Sequence, residues 1–146
     1  DIPQPIYEFG SFQVPGQEEL ANLRPFFKGK VYIGCDQSAG PGVDTILDME
    51  DTRLPAHSIG TIICIDTLEH VKNVHAAMKE IYRLLRPGGF AIISSVMCFP
   101  IHRHPDDYWR FTPSAFALLL QQFSQKEITS DGDPRFPLGI YGFGIK

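Results

Sequence analysis

Acidic side chains recur at the ends of the predicted strands in the first half of the chain. Asp36, Asp48 and Asp66 each close a short apolar run. Glu8 lies two residues before Gly10. A carboxylate can accept two hydrogen bonds at once from vicinal ribose hydroxyls, from an exocyclic amine or from an ammonium group. A ligand across the carboxyl edge of a parallel sheet would meet all four acids, so we expect one that is rich in donors and positively charged.

The turn after the first strand argues against a pyrophosphate ligand. Gly10-Ser11-Phe12-Gln13-Val14 lacks the third glycine that lets a helix amino terminus approach a phosphate closely. An acid after the second strand would also suit the ribose of NAD. Because the glycine is missing, an NAD-dependent oxidoreductase is the less favoured alternative.

Three histidines are candidates for acid–base or metal chemistry. His70 follows Asp66 by four residues, and an imidazole is the natural base near neutral pH, although it can also simply hydrogen-bond the backbone. His102 and His104 have a metal-like spacing, but no cysteine pair or acidic partner is arranged with them in the sequence. We therefore expect no metal site.

A central strand–helix–strand unit positions these residues. Residues 61–65 and 90–96 are nearly continuous apolar runs, as expected of strands buried on both faces of a parallel sheet. Apolar residues recur at helical spacing between Val74 and Leu85, and Pro87-Gly88-Gly89 predicts the stop after that helix. This unit brings residues 66–70 to a carboxyl edge, where open α/β sheets bind ligands.

The remaining elements complete an α/β fold. The sequence predicts strands at 6–9, 31–35 and 43–47, a helix at 17–24 stopped by Pro25, a helix from Thr112-Pro113 with a buried stripe, and late strands at 126–129 and 138–143. The stripe consists of Phe116, Leu119, Leu120 and Phe123. We expect a doubly wound, Rossmann-like, mostly parallel sheet of about seven strands, with an antiparallel strand near the carboxyl terminus.

Composition narrows the class of protein. The chain has 146 residues, enough for one domain with a sizeable core, and a formal net charge of −4 with no basic stripe, so nucleic acid is not an expected partner. No apolar run reaches the length of a membrane span, which predicts no membrane association and a cytoplasmic protein. The three cysteines are widely spaced, which favours reduced thiols.

The ordered motifs resemble a known family. Their set is similar to the class I S-adenosylmethionine-dependent methyltransferases, in particular the small-molecule group called type 11. The resemblance runs over roughly residues 6–123 and is carried by Glu8-Phe9-Gly10-Ser11, Tyr32-Ile33-Gly34-Cys35-Asp36, Gly40-Pro41-Gly42-Val43-Asp44, Asp48-Met49-Glu50, Asp66-Thr67-Leu68-Glu69-His70-Val71 and Leu85-Arg86-Pro87-Gly88-Gly89.

The resemblance implies S-adenosylmethionine as the cofactor and assigns it a set of residues. Glu8, Gly10 and Ser11 match the motif that lies against the methionine part. Asp36 matches the acid that binds the ribose hydroxyls, with Gln37 near the adenine. Asp48 and Met49 match the pair that reads and covers the adenine. Asp66 and Thr67 match the segment beside the transferable methyl.

The resemblance further implies methyl transfer to a small-molecule acceptor, with proximity and orientation as the main contribution of the enzyme. His70 and His104 are the candidate catalytic residues, and His104 belongs to a segment, 104–113, that is similar to a subgroup of the family. Asp107, Tyr108 and Arg110 of that segment could contact the acceptor or could simply pack.

Two departures from the family pattern leave an alternative open. Bulky residues follow Gly10 where the family has further glycines, and the chain begins almost on its first strand, without the usual covering helices. A non-catalytic S-adenosylmethionine-binding module of the same fold is therefore the main alternative. We expect one domain over residues 1–146, trimmed or part of a longer protein, as a monomer or homodimer.

Overall fold

A seven-stranded sheet forms the centre of the molecule in the computed structural model, which describes residues 1–16, 18–103 and 105–146, apart from the side chains at 19 and 20. The strand order is β3-β2-β1-β4-β5-β7-β6, and β7 alone runs antiparallel to its neighbours in the sheet. The strands are β1 Ile6–Phe9, β2 Tyr32–Asp36, β3 Thr45–Ile46, β4 Ile59–Cys64, β5 Leu85–Val96, β6 Gln125–Asp133 and β7 Phe136–Ile145. The predicted doubly wound, mostly parallel architecture is confirmed.

Short helices flank the sheet. They are α1 Glu18–Ala21, α2 Val74–Leu84 and α3 Pro113–Leu119, with 3-10 turns at Arg24–Phe27 and Leu68–His70. Thr112 caps α3 by accepting a hydrogen bond from the Ala115 N–H at 3.2 Å, as its position before Pro113 predicts. The four predicted stripe residues are all buried, but α3 ends before two of them, Leu120 and Phe123.

The core lies around β4, whose six residues are all buried. The apolar face of α2 packs on it, with Ala77, Ile81 and Leu84 fully buried. A strand between two others in a parallel sheet is covered on both faces, which explains why its sequence is continuously apolar. Cys35 and Cys64 are buried and Cys98 is half-buried, all three as free thiols.

Several predicted elements differ from the structure in their bounds, including the late strands, which extend over Gln125–Asp133 and Phe136–Ile145. The helix predicted at 17–24 is wrong in extent: α1 ends at Ala21, and Pro25 lies inside the following 3-10 turn. Position 17 lies outside the described residues. The predicted strand 43–47 shortens to two residues because only Cys35 and Asp36 of β2 pair with it.

The strand β5 begins earlier than predicted. Leu85 already pairs with Ile59, and the register then shifts before Thr61 pairs with Phe90. The predicted Pro-Gly-Gly stop therefore lies within an irregular strand start, where Gly88 adopts a φ of 76°. The described residues contain no helix with the length and hydropathy of a membrane span.

Candidate functional site

The carboxyl ends of β1, β2, β3 and β4 meet at one edge of the sheet. Parallel registers pair Phe9 with Cys35, Asp36 with Ile46, and Glu8 with Ile63. The strand order reverses between β1 and β4, because β2 lies on one side of this pair and β5 on the other. Such a switch point is where open α/β sheets bind ligands, and the acid-bearing segments border it.

The turn after β1 touches the segment after β4. Gly10 has a φ of 80°, and a Cβ there would lie 2.1 Å from Thr67 Oγ1. The Thr67 hydroxyl donates to the Ile65 carbonyl at 2.8 Å. Only glycine combines this backbone conformation with so close an approach, so the structure gives Gly10 a steric role at the switch point.

Glu8 is buried beside the same turn. Its Oε2 accepts a hydrogen bond from the Tyr32 hydroxyl at 2.5 Å, and burial raises the pKa of the Glu8 carboxyl. Burial, followed by the nearby Glu8, also raises the pKa of Tyr32 above its usual value. Ser11 is buried beside Gly34, where an added Cβ would lie 2.7 Å from the Ser11 Oγ, and this Oγ has no hydrogen-bond partner among the described residues. An unsatisfied buried hydroxyl is uncommon and fits a group that awaits a ligand.

Asp36 ends β2 on the rim of the sheet. One carboxylate oxygen accepts from the Ser38 N–H at 2.9 Å, forming a local turn, and Gln37 beside it is exposed. A carboxylate has further acceptor positions beyond this one bond, so turn formation and ligand binding are compatible at Asp36.

The loop after β2 folds back onto the turn after β1. Asp44 Oδ2 accepts from the Gly34 N–H at 2.7 Å and from Arg24 at 2.5 Å. The Phe12 ring fills the space over Gly40, where a Cβ would lie 2.1 Å from Phe12 Cε2. Phe12 thus closes the gap between the two loops, and a ligand at the rim has to lie outside this contact.

The end of β3 carries the next pair of predicted residues. Asp48 is exposed and accepts from the Glu50 N–H at 2.8 Å, while Met49 is buried in the core. Asp48 therefore remains at the sheet edge. Met49 packs inward, and its role in covering the adenine face stays a prediction.

The segment after β4 is tied to β5. The Ser94 hydroxyl donates to Asp66 Oδ1 at 2.6 Å and accepts from the Asp66 N–H at 3.1 Å. Asp66 has a φ of 46°, a left-handed conformation that aspartate adopts more readily than most residues other than glycine. The chain therefore turns sharply at Asp66, directly after β4.

His70 ends the 3-10 turn that follows. Its Nδ1 lies 2.6 Å from the Asp106 carbonyl oxygen, which only accepts, so Nδ1 carries the hydrogen and Nε2 is the basic nitrogen. His70 Nε2 lies 4.0 Å from Glu69 Oε1. His104, the other predicted catalytic residue, lies outside the described residues.

The loop after β5 docks on this turn. The Glu69 carbonyl accepts from the Tyr108 N–H at 2.7 Å, and the Trp109 indole donates to the Val71 carbonyl at 2.8 Å. Asp107 and Arg110 form a two-point ion pair within the loop, with bonds of 2.5 and 2.7 Å. The segment predicted to contact an acceptor therefore lies against His70.

Sequence reasoning missed Glu69, which is fully buried between these elements. Its Oε2 accepts from the Ser95 hydroxyl at 2.6 Å, and burial raises the pKa of its carboxyl. A glutamate next to a histidine carries no burial signal in the sequence. The only hint is that the apolar residues Leu68 and Val71 flank Glu69 and His70.

A cavity of about 430 Å³ lies beside this turn, between the start of α2 and α3. Lys72, Asn73, Trp109, Phe111 and Leu118 are among its lining residues. None of the predicted cofactor-binding residues lines it. Its position next to the docked loop makes it a separate feature from the rim at Asp36.

Comparisons with known proteins find one matching family and several similar folds. Residues 28–93 match the family described as a methyltransferase domain. A methyltransferase from Thermotoga maritima, described as a possible histamine N-methyltransferase, has a TM-score of 0.67 at 17% identity, with 97% of this chain and 81% of that chain covered. An S-adenosylmethionine-dependent methyltransferase from Archaeoglobus fulgidus has a TM-score of 0.73 at 13% identity, with 97% and 85% covered.

A third similar structure is that of the trans-methyltransferase CalH in complex with S-adenosylhomocysteine. Its TM-score is 0.68 at 17% identity, and the match covers 96% of this chain and 50% of CalH. Likeness at this level of identity shows a common fold. No curated protein matches the sequence.

Proposed function

We propose that the chain is a class I S-adenosylmethionine-dependent methyltransferase of the type 11 kind and that it transfers the methyl group to a small-molecule acceptor. The observation that carries the proposal is the convergence of Gly10 and Thr67 at the switch point of the sheet, with acid-bearing strand ends along the same edge. The match to the methyltransferase domain family includes β2, β3 and β4, which supply three of those strand ends.

We assign the cofactor to this rim. Asp36 would bind the ribose hydroxyls and Gln37 would lie near the adenine, with Asp48 at the adenine edge and Met49 covering the adenine face. Glu8, Gly10 and Ser11 would hold the methionine part, and Asp66 and Thr67 would lie beside the sulfonium. The buried Ser11 hydroxyl without a partner among the described residues supports this assignment. When bound, the cofactor supplies an electrophilic methyl group.

His70 is the proposed proton acceptor. The Asp106 carbonyl holds its Nδ1, which fixes the tautomer and leaves Nε2 as the basic nitrogen. The residue belongs to the turn that follows Thr67, and we assign it to the acceptor side of the proposed methyl position. His104 remains a second candidate on sequence grounds alone.

A small-molecule acceptor is supported by charge and by the neighbours. The net charge of −4 without a basic stripe is unfavourable for nucleic acid as a substrate. The Thermotoga neighbour is described as a possible histamine N-methyltransferase, an enzyme for a small amine. We propose a single domain that acts as a monomer or homodimer on a small acceptor, without nucleic acid or membrane as a partner.

A second candidate function is a module that binds the cofactor without turnover. The observation in its favour is the Phe12 ring over Gly40, which narrows the rim. The two functions differ in one outcome, the conversion of bound S-adenosylmethionine to S-adenosylhomocysteine in the presence of acceptor.

Calorimetry with S-adenosylmethionine tests the cofactor assignment. Asp36→Ala removes the carboxylate on the rim and should weaken binding about 10- to 100-fold, the loss expected for charge-assisted hydrogen bonds. Asp133→Ala is the matched control, because Asp133 pairs with Arg135 in the β6–β7 turn. Equal affinities for the two variants would overturn the assignment of Asp36.

A further inference from the structure

A buried carboxylate oxygen beside the proposed acceptor side has no hydrogen bond from the described residues. Glu69 is 0% exposed, and its Oε1 has no hydrogen-bond partner among the described residues, while Ser95 satisfies Oε2. Burying a carboxylate oxygen without compensation is costly. A cation at Oε1 would remove that cost.

Two imidazoles converge on this oxygen. His70 Nε2 lies 4.0 Å from Glu69 Oε1. The rings of His70 and His102 meet edge to face, with their centroids 4.7 Å apart. One possible ligand atom from each of the three residues lies within 4.8 Å of the other two. The chain separation between Glu69 and His102 explains why the sequence did not predict this cluster.

The surroundings of both rings match those of metal-binding histidines. Such a histidine usually donates its other ring N–H to a backbone carbonyl or a carboxylate, which fixes the tautomer. His70 Nδ1 lies 2.6 Å from the Asp106 carbonyl. His102 Nδ1 lies 3.2 Å from both the Pro100 carbonyl and Asp107 Oδ2. Each ring is thus oriented from its Nδ1 side, which makes Nε2 the ligating nitrogen.

We propose that Glu69, His70 and His102 form a binding site for a divalent transition-metal cation of the zinc type. Two imidazoles and one carboxylate are a common ligand set for such ions. Ligands about 2.1 Å from a tetrahedral zinc ion are about 3.4 Å apart, so the side chains would have to close slightly on binding. His102 is carried by the loop after β5, which can supply that movement.

Metal binding would tie the turn after β4 to the loop after β5. A fourth position on such an ion can take water or a substrate oxygen or nitrogen. That last use rests on the proposed function, whereas metal binding itself does not. A cation on His70 Nε2 and a proton on the same atom exclude each other, so in the metal-bound protein the cation would take over the activation of the acceptor.

The alternative is an ion pair between Glu69 and a protonated His70. It accounts for the Oε1–Nε2 distance but predicts no affinity for metal. Binding of Zn²⁺ to chelator-stripped protein, followed with a competing indicator, separates the two. Co²⁺ adds an absorption spectrum that reports ligation by nitrogen and oxygen.

The variants are Glu69→Gln and His102→Asn, with His75→Asn as the control at an exposed histidine of α2. Wild type and His75→Asn should bind one equivalent. The two cluster variants should bind at least about 10- to 100-fold more weakly, since even changes to residues behind the ligands cost that much. If Glu69→Gln fails to fold, the partly exposed His102 still provides the test.

Absence of Zn²⁺ and Co²⁺ binding to the wild type, or equal affinity in His102→Asn and His75→Asn, would overturn the metal site. Calorimetry with S-adenosylmethionine runs on the same samples without metal. Intact cofactor binding with no metal binding contradicts this inference alone, and the reverse result contradicts only the cofactor assignment.

Discussion

Gly10 lies so close to Thr67 that a Cβ at position 10 would be 2.1 Å from the threonine hydroxyl oxygen. Gly10→Ala should therefore destabilise the fold through two effects, the left-handed φ and the collision. The variant Gly16→Ala distinguishes the two effects, because Gly16 has a similar φ of 84° but nothing within 4 Å of its Cβ position. In urea unfolding, Gly10→Ala should lower the free energy of unfolding by about 1–3 kcal/mol more than Gly16→Ala does.

A double-mutant cycle checks that the collision is with Thr67. Thr67→Ala removes the Oγ1 and Cγ2 atoms that approach position 10. The Gly10→Ala/Thr67→Ala protein should then be less destabilised than the sum of the two single variants. Strict additivity would mean that the two segments do not meet at the switch point as described.

Glu80 joins α2 to the segment before β4 and should make stability depend on acid pH. Thr52 donates to its Oε1 at 2.5 Å and Arg83 to its Oε2 at 2.7 Å. Arg83 is the main cause that lowers the pKa of Glu80 to about 2. When the pH falls below the pKa of a free glutamate, Glu80 is protonated in the unfolded chain but still ionised in the folded protein. The contribution of Glu80 to the free energy of unfolding is therefore present above about pH 5 and is lost towards pH 2.

Glu80→Gln should remove that part of the pH dependence. At pH 7 the variant should lose about 1–3 kcal/mol of unfolding free energy, as expected for hydrogen bonds to a charged group. Glu127→Gln, at an exposed position of β6, is the control. A pH profile for Glu80→Gln parallel to that of wild type between pH 5 and pH 2 would contradict the prediction.

Thiol labelling should separate the three cysteines. Burial raises the pKa of Cys35 to about 12 and also raises that of the fully buried Cys64. Cys98 is half-buried at the end of β5. In the native protein at pH 8, one thiol should react quickly with a disulfide reagent, and Cys98→Ser should abolish that phase. Fast labelling that survives in Cys98→Ser would show that one of the buried cysteines is accessible.

The sequence predicted the sheet well because its signals are local. A continuous apolar run such as that of β4 can be read directly, and so can the cap formed by Thr112 before Pro113. Strand ends followed by Asp36 and Asp66 then place both residues at the carboxyl edge. The bounds of β3 and β5 depend on pairing across the sheet, which no local pattern specifies.

The candidate site was harder to predict because its contacts are distant in the chain. The buried state of Glu69 depends on Ser95, and the tautomer of His70 depends on Asp106. The packing of Phe12 on Gly40 likewise depends on a fold-back of the loop after β2. Residue types suggested which side chains could act, but only the fold indicates which of them meet.

The ion pair of Asp107 with Arg110 should stabilise the conformation of the loop after β5, because both residues also bond the loop backbone. Arg110 donates to the Pro100 carbonyl at 3.0 Å, and Asp107 accepts from the His102 N–H at 2.9 Å. Lysine cannot make the two-point contact, so Arg110→Lys should loosen the loop.

Trp109 is the single tryptophan, and in Arg110→Lys its fluorescence should shift to the red and its quenching by acrylamide should rise. Arg135→Lys, which weakens a similar pair with Asp133 in an exposed turn, should leave both unchanged. Cofactor affinity should stay near that of wild type while kcat/KM for an acceptor falls about 10-fold or more, since misplacement of binding residues lowers the rate. An unaltered tryptophan spectrum in Arg110→Lys would mean that the contacts of the loop to Glu69, His70 and Val71 hold it without the ion pair.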